Sequence, residues 1–409
     1  MAARKRRIET WLAVIVVGVG LLLTAIPGLW VYMSATTTPL HPNPEDVPSA
    51  AASAPPPAWA AAVEQGRRIV RAGLTEQNLP GLSVAVGVVG GDVVWAEGVG
   101  WADVEHRVPV SPDTMFRIGT ASKLLTSAAV GLLLEDKRLT LDDEIQTHVP
   151  EFPRKQWPVT LRQLMGHVAG VRNDAGDEEP LTEHCERPGD AFRRFAERPL
   201  LFEPGTRYRY SNYGWILVSA AVEAAAHEPF LTFMRKQVFE PLGMHDTRAE
   251  SATREIADRA TFYFPRYAAD PRFGPDVMRE LDYSCYTGSS VFLSTPSDLV
   301  RFALAIDSGR LLQPGTVQLL QTPQRLRSGE DTGYGLGWDL ESATVAGKQT
   351  RVLGHDGESL GGMVASLLTF PERGIVVAVI ANISYADTFG LGVKIAEAFA
   401  DQVEDPARK

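Results

Sequence analysis

The sequence predicts a mixed α/β fold of the α+β type, in which an antiparallel sheet is flanked by helices and carries an inserted all-helical lobe. Valine-rich, strand-like segments occur near both ends of the globular part of the chain, and helical patterns fill the region between them. Such distant strands form one sheet only if the two ends of the domain come together. The chain has 409 residues, of which 44% are hydrophobic and 22% charged, so it is neither a disordered nor a fibrous protein.

The N-terminal region is predicted to anchor the protein in a membrane. A cytoplasmic basic segment, residues 1–10, precedes the uncharged segment 11–33, which is long enough to cross a bilayer. Because basic residues stay on the cytoplasmic side, a single-pass topology with an extracytoplasmic (periplasmic) domain is expected. The alternative is a cleaved signal peptide, but its apolar part would be shorter, about 7 to 15 residues. The Pro/Ala-rich residues 34–57 predict an extended linker that contributes no core.

One continuous globular domain is predicted at 58–400, followed by a C-terminal tail at 401–409. Residues 82–96 predict a β-hairpin around the turn Gly90-Gly91-Asp92, and residues 363–381 predict a second hairpin. Helical patterns occupy four segments between the hairpins, at 121–136, 160–166, 212–226 and 296–308.

Charge and cysteine content narrow the possible functions. The net charge is −10, and no cluster of lysine and arginine follows residue 10, which argues against a nucleic-acid partner.

Cys185 and Cys285 lie far apart in sequence, and two free thiols are favoured over one disulfide between them. The histidines lack metal-binding spacing and no phosphate-binding glycine motif occurs, so neither a metal nor a cofactor is expected. The oligomeric state stays open.

The first of three candidate catalytic motifs is Thr120-Ala121-Ser122-Lys123, at the predicted start of a helix. Residues three apart share a helix face, so the Thr120 hydroxyl and the Lys123 amine are expected to lie together at the helix N-terminus. The helix dipole and burial both favour the neutral amine, which can accept a proton from a hydroxyl.

The second and third motifs offer proton-transfer and binding groups. In Tyr210-Ser211-Asn212, the phenol can relay protons beside a lysine and the Asn212 amide can orient a carbonyl. In His355-Asp356-Gly357, the histidine is expected to bind substrate and the glycine to let a backbone approach the substrate. Taken singly, such motifs are more often helix caps, turns or satisfied surface histidines.

In this order the motifs resemble those of the serine β-lactamase and penicillin-binding protein superfamily, which has S-x-x-K, then Y-x-N, then K-T-G or H-x-G. The resemblance covers about residues 60–400, through segments such as GWADVEHRVPVSPDTMFRIGTASK, FEPGTRYRYSNYG and GHDGESLGG. The resemblance is strongest to the class C-like branch, which includes mitochondrial serine β-lactamase-like proteins and bacterial esterase and D-aminopeptidase relatives. It implies a β-lactamase/transpeptidase-like fold with a cleft between the sheet and the helical lobe.

The resemblance also implies a hydrolase that forms a covalent acyl-enzyme. The implied catalytic residues are Thr120, Lys123 and Tyr210, and the implied substrate-binding residues are Asn212, His355 and Gly357. K-T-G enzymes present a positive charge to a substrate carboxylate, whereas histidine is mostly neutral at pH 7. A small-molecule or peptide substrate with an ester, amide or peptide carbonyl is therefore expected rather than an antibiotic.

The nucleophile departs from the superfamily pattern, because family members have serine where this chain has Thr120. Ser122 is close, but the residue three positions after it is Leu125, so the register of the lysine favours Thr120. Threonine is a competent nucleophile in other enzymes, although its methyl group crowds the attack. The alternative is a catalytically degenerate protein that serves as a binding or assembly module.

A rival motif, Gly357-Glu358-Ser359-Leu360-Gly361, matches the G-x-S-x-G nucleophile elbow of α/β-hydrolases. That elbow requires a following helix and a catalytic histidine later in the chain. A strand-like segment follows instead, and no histidine occurs after His355, so the elbow interpretation is rejected.

Overall fold

A computed structural model describes residues 25–173, 183–251, 256–359 and 361–403. The strands are β1 Ser49–Ala51, β2 Gly81–Val88, β3 Val93–Asp103, β4 Val108–Pro109, β5 Phe116–Arg117, β6 Arg248–Ala249, β7 Tyr263–Pro265, β8 Pro275–Val277, β9 Phe292–Ser294, β10 Asp339–Val345, β11 Lys348–Ser359, β12 Met363–Phe370 and β13 Ile375–Ala381. The α-helices are α1 Ala60–Glu76, α2 Ser122–Glu135, α3 Leu161–Met165, α4 Asn212–Ala226, α5 Phe230–Met234, α6 Pro296–Asp307, α7 Pro314–Leu320 and α8 Thr388–Val403. Both predicted hairpins and all four predicted helical segments are confirmed.

The main sheet is antiparallel and contains strands from both ends of the domain. Its order is β1-β3-β2-β13-β12-β11-β10, with β4 paired to β3 at the side. The early hairpin meets the late one where β2 pairs with β13, for example at Val84 and Val379. The prediction that the two ends of the domain close one sheet is therefore confirmed.

Each face of this sheet packs against helices, because both faces of its central strands carry apolar side chains. On one face lie α1 and α8, where the ring of Trp95 on β3 stacks on Phe399 with 6.2 Å between centroids. On the other face, α6 packs over β2 and β13, and Val300 lies against Gly87. The helical lobe, which includes α2, α3, α4 and α5, extends the core on this second face.

Nearly the whole of α4 is buried in the helical lobe, including Tyr213 and Trp215. Within the described part of the chain, no single helix has both the length and the apolar character needed to cross a bilayer. The pair Asn212–Ala226 and Phe230–Leu242 meets those criteria only jointly, and it is bent by 75°.

Most of the predicted membrane segment, residues 11–24, lies outside the described residues, as do the basic segment and residues 404–409 of the tail. Residues 25–35 are helical. Most of their apolar side chains are exposed, with Ile26 64% and Trp30 60% exposed, whereas Met33 is buried.

The expectation that residues 34–57 contribute no core is wrong. Strand β1 extends the sheet by pairing with Glu97–Val99 of β3, and Val47 is buried. The Leu40 amide also donates to Asn78 Oδ1 at 2.8 Å. An edge strand needs only main-chain groups, so small residues such as serine and alanine can form one without any hydrophobic signal in the sequence.

The expectation of two free thiols is also wrong, because Cys185 and Cys285 form a disulfide. They are 100 residues apart in sequence, yet the chain folds the loop at Ser284–Tyr286 against the segment that begins at Glu183. The Cys185 amide donates to Ser284 Oγ in the same contact. Separation along the chain thus carried no information about distance in space.

Candidate active site

Thr120 lies in a tight turn between the short strand β5 and helix α2. The turn is a 3₁₀ segment, Gly119–Ala121, and Gly119 has φ +49°, a left-handed conformation that favours glycine. The Thr120 side chain is 8% exposed, and its Oγ1 donates to the carbonyl oxygen of Asp356 on β11 at 3.0 Å. The first and third motifs therefore meet in space.

Gly357 is what allows this turn to pack against β11. A β-carbon at Gly357 would lie 1.9 Å from the Ile118 carbonyl oxygen and 3.1 Å from the Ala121 nitrogen. Any larger residue would push the turn away from the strand. The glycine was expected to admit backbone close to the substrate; in the structure, the backbone it admits is that of the turn carrying Thr120.

Lys123 connects the first motif to the second. Its side chain is fully buried at the start of α2. Its Nζ donates to Tyr210 Oη at 2.6 Å and to Asn212 Oδ1 at 2.8 Å, and it lies 4.5 Å from the centre of the Tyr210 ring. An amine and a phenol at this separation can exchange a proton directly.

The second motif is positioned by the start of α4. Ser211 is the N-cap of that helix, because its Oγ accepts a hydrogen bond from the Gly214 amide at 3.0 Å. The main-chain amide of Asn212 donates to Asn173 Oδ1 at 2.7 Å. These bonds hold Tyr210 and Asn212, on either side of the cap, where both reach Lys123.

Ser122 lies on a different side of the same helix start. It is 0% exposed, and its Oγ accepts from the Phe292 amide of β9 at 3.4 Å. Its hydroxyl thus faces the interior behind the turn, whereas the Thr120 hydroxyl faces β11.

His355 on β11 is held as a neutral imidazole. Its Nδ1 lies 2.7 Å from the Asp356 carbonyl oxygen, and its Nε2 lies 3.1 Å from Tyr334 Oη. Burial lowers the pKa of His355, and burial raises the pKa of the Tyr334 phenol well above its ordinary value. The phenol therefore donates to Nε2, and Nδ1–H donates to the carbonyl.

His167, to which no role was given from the sequence, lies at the centre of the site. Its ring centre is 4.3 Å from that of Tyr210 and 4.7 Å from that of Tyr334, and its Nδ1 accepts from the Ser211 amide at 3.1 Å. Burial, together with the positive charge that Lys123 carries when it is protonated, holds the pKa of His167 well below its usual value. A neutral His167 thus supports the loop that carries Tyr210. In the sequence it is a lone histidine that follows the short helix α3, which gives no sign of this role.

The edge of β11 beside Thr120 carries main-chain donors. Both main-chain groups of Asp356 point away from β12, because its carbonyl accepts from Thr120 and its amide donates to Asp339 Oδ2 at 3.3 Å. Main-chain direction alternates along a strand, so the amide of Glu358 points to the same edge. The amides of Thr120 and Glu358 are thus the two candidate donors to an oxyanion.

A family model described as Beta-lactamase matches residues 67–401 of this chain. The chain belongs to the β-lactamase family. All three motifs lie within the matched region, and the antiparallel sheet with its helical lobe confirms the predicted β-lactamase-type fold.

Several β-lactamase-type proteins resemble this chain over most of its length. The Homo sapiens protein named Serine beta-lactamase-like protein LACTB, mitochondrial, is 28% identical, with 83% of this chain and 80% of that protein covered. The D-amino acid amidase from Ochrobactrum anthropi SV3, solved with D-phenylalanine, superposes with a TM-score of 0.68 at 22% identity over 83% of this chain and 99% of that chain. EstCE1, described as a hydrolase with promiscuous acyltransferase activity, superposes with a TM-score of 0.66 at 22% identity over 83% of this chain and 98% of that chain. The two solved structures show the shared fold.

Proposed function

We propose that this member of the β-lactamase family is a hydrolase that forms an acyl-enzyme at Thr120 and acts on an ester, amide or peptide carbonyl. The observation that carries the proposal is the environment of Lys123, whose buried amine bonds to both Tyr210 and Asn212 one helical turn from Thr120. Burying an amine costs free energy, which a purely structural core residue would not require. A buried ionisable group that is hydrogen-bonded to other polar side chains is a candidate catalytic group.

The reaction begins when the Thr120 hydroxyl rotates away from the Asp356 carbonyl. Its oxygen forms a bond to the substrate carbonyl carbon, while its proton passes to the neutral amine of Lys123, directly or through Tyr210. The electron pair of the carbonyl moves onto its oxygen, which the amides of Thr120 and Glu358 hold. Collapse of this intermediate breaks the bond to the leaving alcohol or amine, which takes up the proton. Water then repeats the sequence, releasing the acid and restoring Thr120.

The third motif supports a preference for esters or peptides over β-lactams. A dedicated β-lactam site grips the carboxylate of the antibiotic with a fixed positive charge, but burial keeps His355 neutral here. Short acyl esters are therefore expected to be hydrolysed much faster than nitrocefin. Turnover of nitrocefin at the rate of a resistance enzyme would contradict this preference.

We also propose that residues 11–33 anchor the protein and that the domain at 58–400 lies outside the cytoplasm. Two observations support this topology: the basic residues precede the apolar segment, and Cys185 and Cys285 are joined. Disulfides persist mainly in oxidising compartments. Protease added to intact cells should digest the domain, and a mature protein beginning near Thr36 would show that the anchor is cleaved.

The acyl-enzyme is tested with a fluorophosphonate probe on the full-length protein in detergent. The intact mass should rise by one probe, and peptide mapping should place it on Thr120. Lys123→Met keeps the volume of the side chain but removes the amine, so it should abolish labelling while the thermal unfolding transition is retained. Labelling of Lys123→Met at the wild-type rate would remove lysine from the mechanism.

A binding or assembly module is the second candidate function. The observation that favours it is the threonine at the serine position, with its hydroxyl already bonded to the Asp356 carbonyl. A wild-type protein and a Thr120→Ser variant that are both inert to every acyl probe would establish this alternative.

A further inference from the structure

The edge of β11 is open beside Thr120, where a substrate would lie. On this side β10 pairs with β11 only from Lys348 to Gly354, and the last pair joins Asp339 to Gly354. On the other side β12 continues to pair as far as Ser359. Among the described strands none covers the edge of β11 from His355 onward. The Asp356 groups on this edge already bond to Thr120 and Asp339, so a ligand that lies along the edge reaches the Glu358 amide at one end and the Asp339 side chain at the other.

Asp339 stands at the end of this open edge. Its Oδ2 accepts from the Asp356 amide at 3.3 Å and lies 3.5 Å from His355 Nδ1, and its side chain is 33% exposed. Any ligand aligned along β11 and extending from Thr120 toward Gly354 meets this carboxylate first.

The partners that the structure gives to Asp339 are neutral groups. One is a main-chain amide, and the other is the imidazole whose pKa burial lowers. The negative charge also reaches Tyr208, where burial and, to a lesser degree, Asp339 raise the pKa of the phenol to about 12. A carboxylate whose side chain is only 33% exposed is screened less than one in open water.

We propose that Asp339 determines substrate specificity by selecting acyl substrates that carry an ammonium group and by repelling those that carry a carboxylate. This inference rests on the proposed hydrolase function and names its substrate class. The Asp339 carboxylate places a negative charge at the end of the open edge, next to the neutral His355. A K-T-G enzyme would offer a positive charge at the position of His355. Asp339 acts on binding, so its effect should appear in KM rather than in kcat.

Three p-nitrophenyl esters of matched length test the proposal on the full-length protein. They are the 4-(trimethylammonio)butanoate, its uncharged isostere 5,5-dimethylhexanoate, and the hydrogen glutarate. The wild type should have a kcat/KM about 5- to 20-fold higher for the cation than for the neutral ester, and lower still for the anion, as expected for one partly screened charge contact.

Asp339→Asn keeps an oxygen for the Asp356 amide but removes the charge, so it should bring the three kcat/KM values to within about 2-fold of one another. Asp339→Glu should retain the preference for the cation. The matched control is Glu341→Gln, which removes a charge from the exposed Glu341 two residues along β10 and should leave the preference intact.

A wild type without preference, or an Asp339→Asn variant that keeps it, would overturn the role of Asp339. So would an equal loss in Glu341→Gln, because the effect would then come from the general field of the strand. The neutral ester reports the proposed function separately. If the wild type hydrolyses it, the chemistry stands whatever happens to the selectivity; if no ester is hydrolysed, both proposals fail.

Discussion

Gly357 on β11 and Ile118, two residues before Thr120, are so close that a β-carbon on the glycine would lie 1.9 Å from the Ile118 carbonyl oxygen. The turn that carries the candidate nucleophile is therefore packed directly onto the strand that carries His355. The close approach of these two main chains depends on the absence of one side chain.

Gly357→Ala should separate the turn from the strand. We expect loss of fluorophosphonate labelling and a decrease of about 2–4 kcal/mol in the free energy of unfolding, because the overlap is with main chain that cannot move freely. The control is Gly315→Ala on α7, where nothing lies within 4 Å of the added β-carbon. That variant should label normally and gain up to about 1 kcal/mol from its better helix propensity. Normal labelling of Gly357→Ala would show that the close approach is not required.

The nucleophile is identified by substituting Thr120 and Ser122 separately. Thr120→Ala should abolish labelling, whereas Thr120→Ser should keep or raise the rate, since it removes the crowding methyl group. Ser122→Ala should lower stability by about 1 kcal/mol through the lost bond to the Phe292 amide, with at most a modest decrease in labelling. If labelling survives in Thr120→Ala and maps to Ser122, the alignment of Thr120 with the serine of the S-x-x-K motif is wrong.

The buried carboxyl of Asp356 is expected to lower the free energy of unfolding as the pH rises. Burial raises the pKa of its carboxyl to about 7, and Oδ1 has no hydrogen-bond partner among the described residues. The folded state therefore holds the carboxyl proton more tightly than the unfolded state, in which the pKa of an aspartate is about 3.9. The free energy of unfolding therefore decreases as the pH rises from about 4 to 7. Asp356→Asn should gain about 2 kcal/mol of unfolding free energy relative to wild type at pH 8, and much less at pH 4.

Thermal unfolding at several pH values measures this difference. Asp307→Asn is a useful comparison, because burial raises the pKa of Asp307 only to about 6. Its stabilisation should therefore set in at a lower pH than that of Asp356→Asn. The same offset from wild type at pH 4 and pH 8 would contradict the assignment for either residue.

Reduction of the disulfide should destabilise the helical lobe. Cys185 and Cys285 enclose a long segment, and its release should cost about 2–5 kcal/mol of unfolding free energy, mainly through the greater freedom of the unfolded chain. The double variant Cys185→Ala/Cys285→Ala should be equally destabilised and should no longer respond to dithiothreitol. A wild type whose unfolding temperature is unaffected by reductant would show that the bond contributes nothing to stability.

The elements predicted correctly are those whose signal is local. The hairpins at 82–96 and 363–381 alternate or are rich in valine and have glycine or proline at their turns, so the residues that decide them are neighbours in sequence. The pairing of β2 with β13 followed from those two hairpins, since a single sheet is the simplest way to bury both.

The elements that were missed depend on contacts between distant segments. Strand β1 pairs through its main chain and carries no hydrophobic pattern, and the disulfide joins segments that the fold alone brings together. His167 is a lone histidine after a short helix in the sequence, and its importance comes from Tyr210 and Tyr334, which approach from other parts of the chain.

By itself, the sequence determined the family, the secondary structure that carries the motifs and the register that singles out Thr120 and Lys123, because spacing along a helix or strand fixes which side chains share a face. Only the tertiary structure decided that Lys123 reaches Tyr210 and Asn212, that Gly357 makes room for the nucleophile turn, and that Asp339 stands at the open edge of β11. Those relationships join residues tens to hundreds of positions apart, and their distances are set by packing of the whole core rather than by any local pattern.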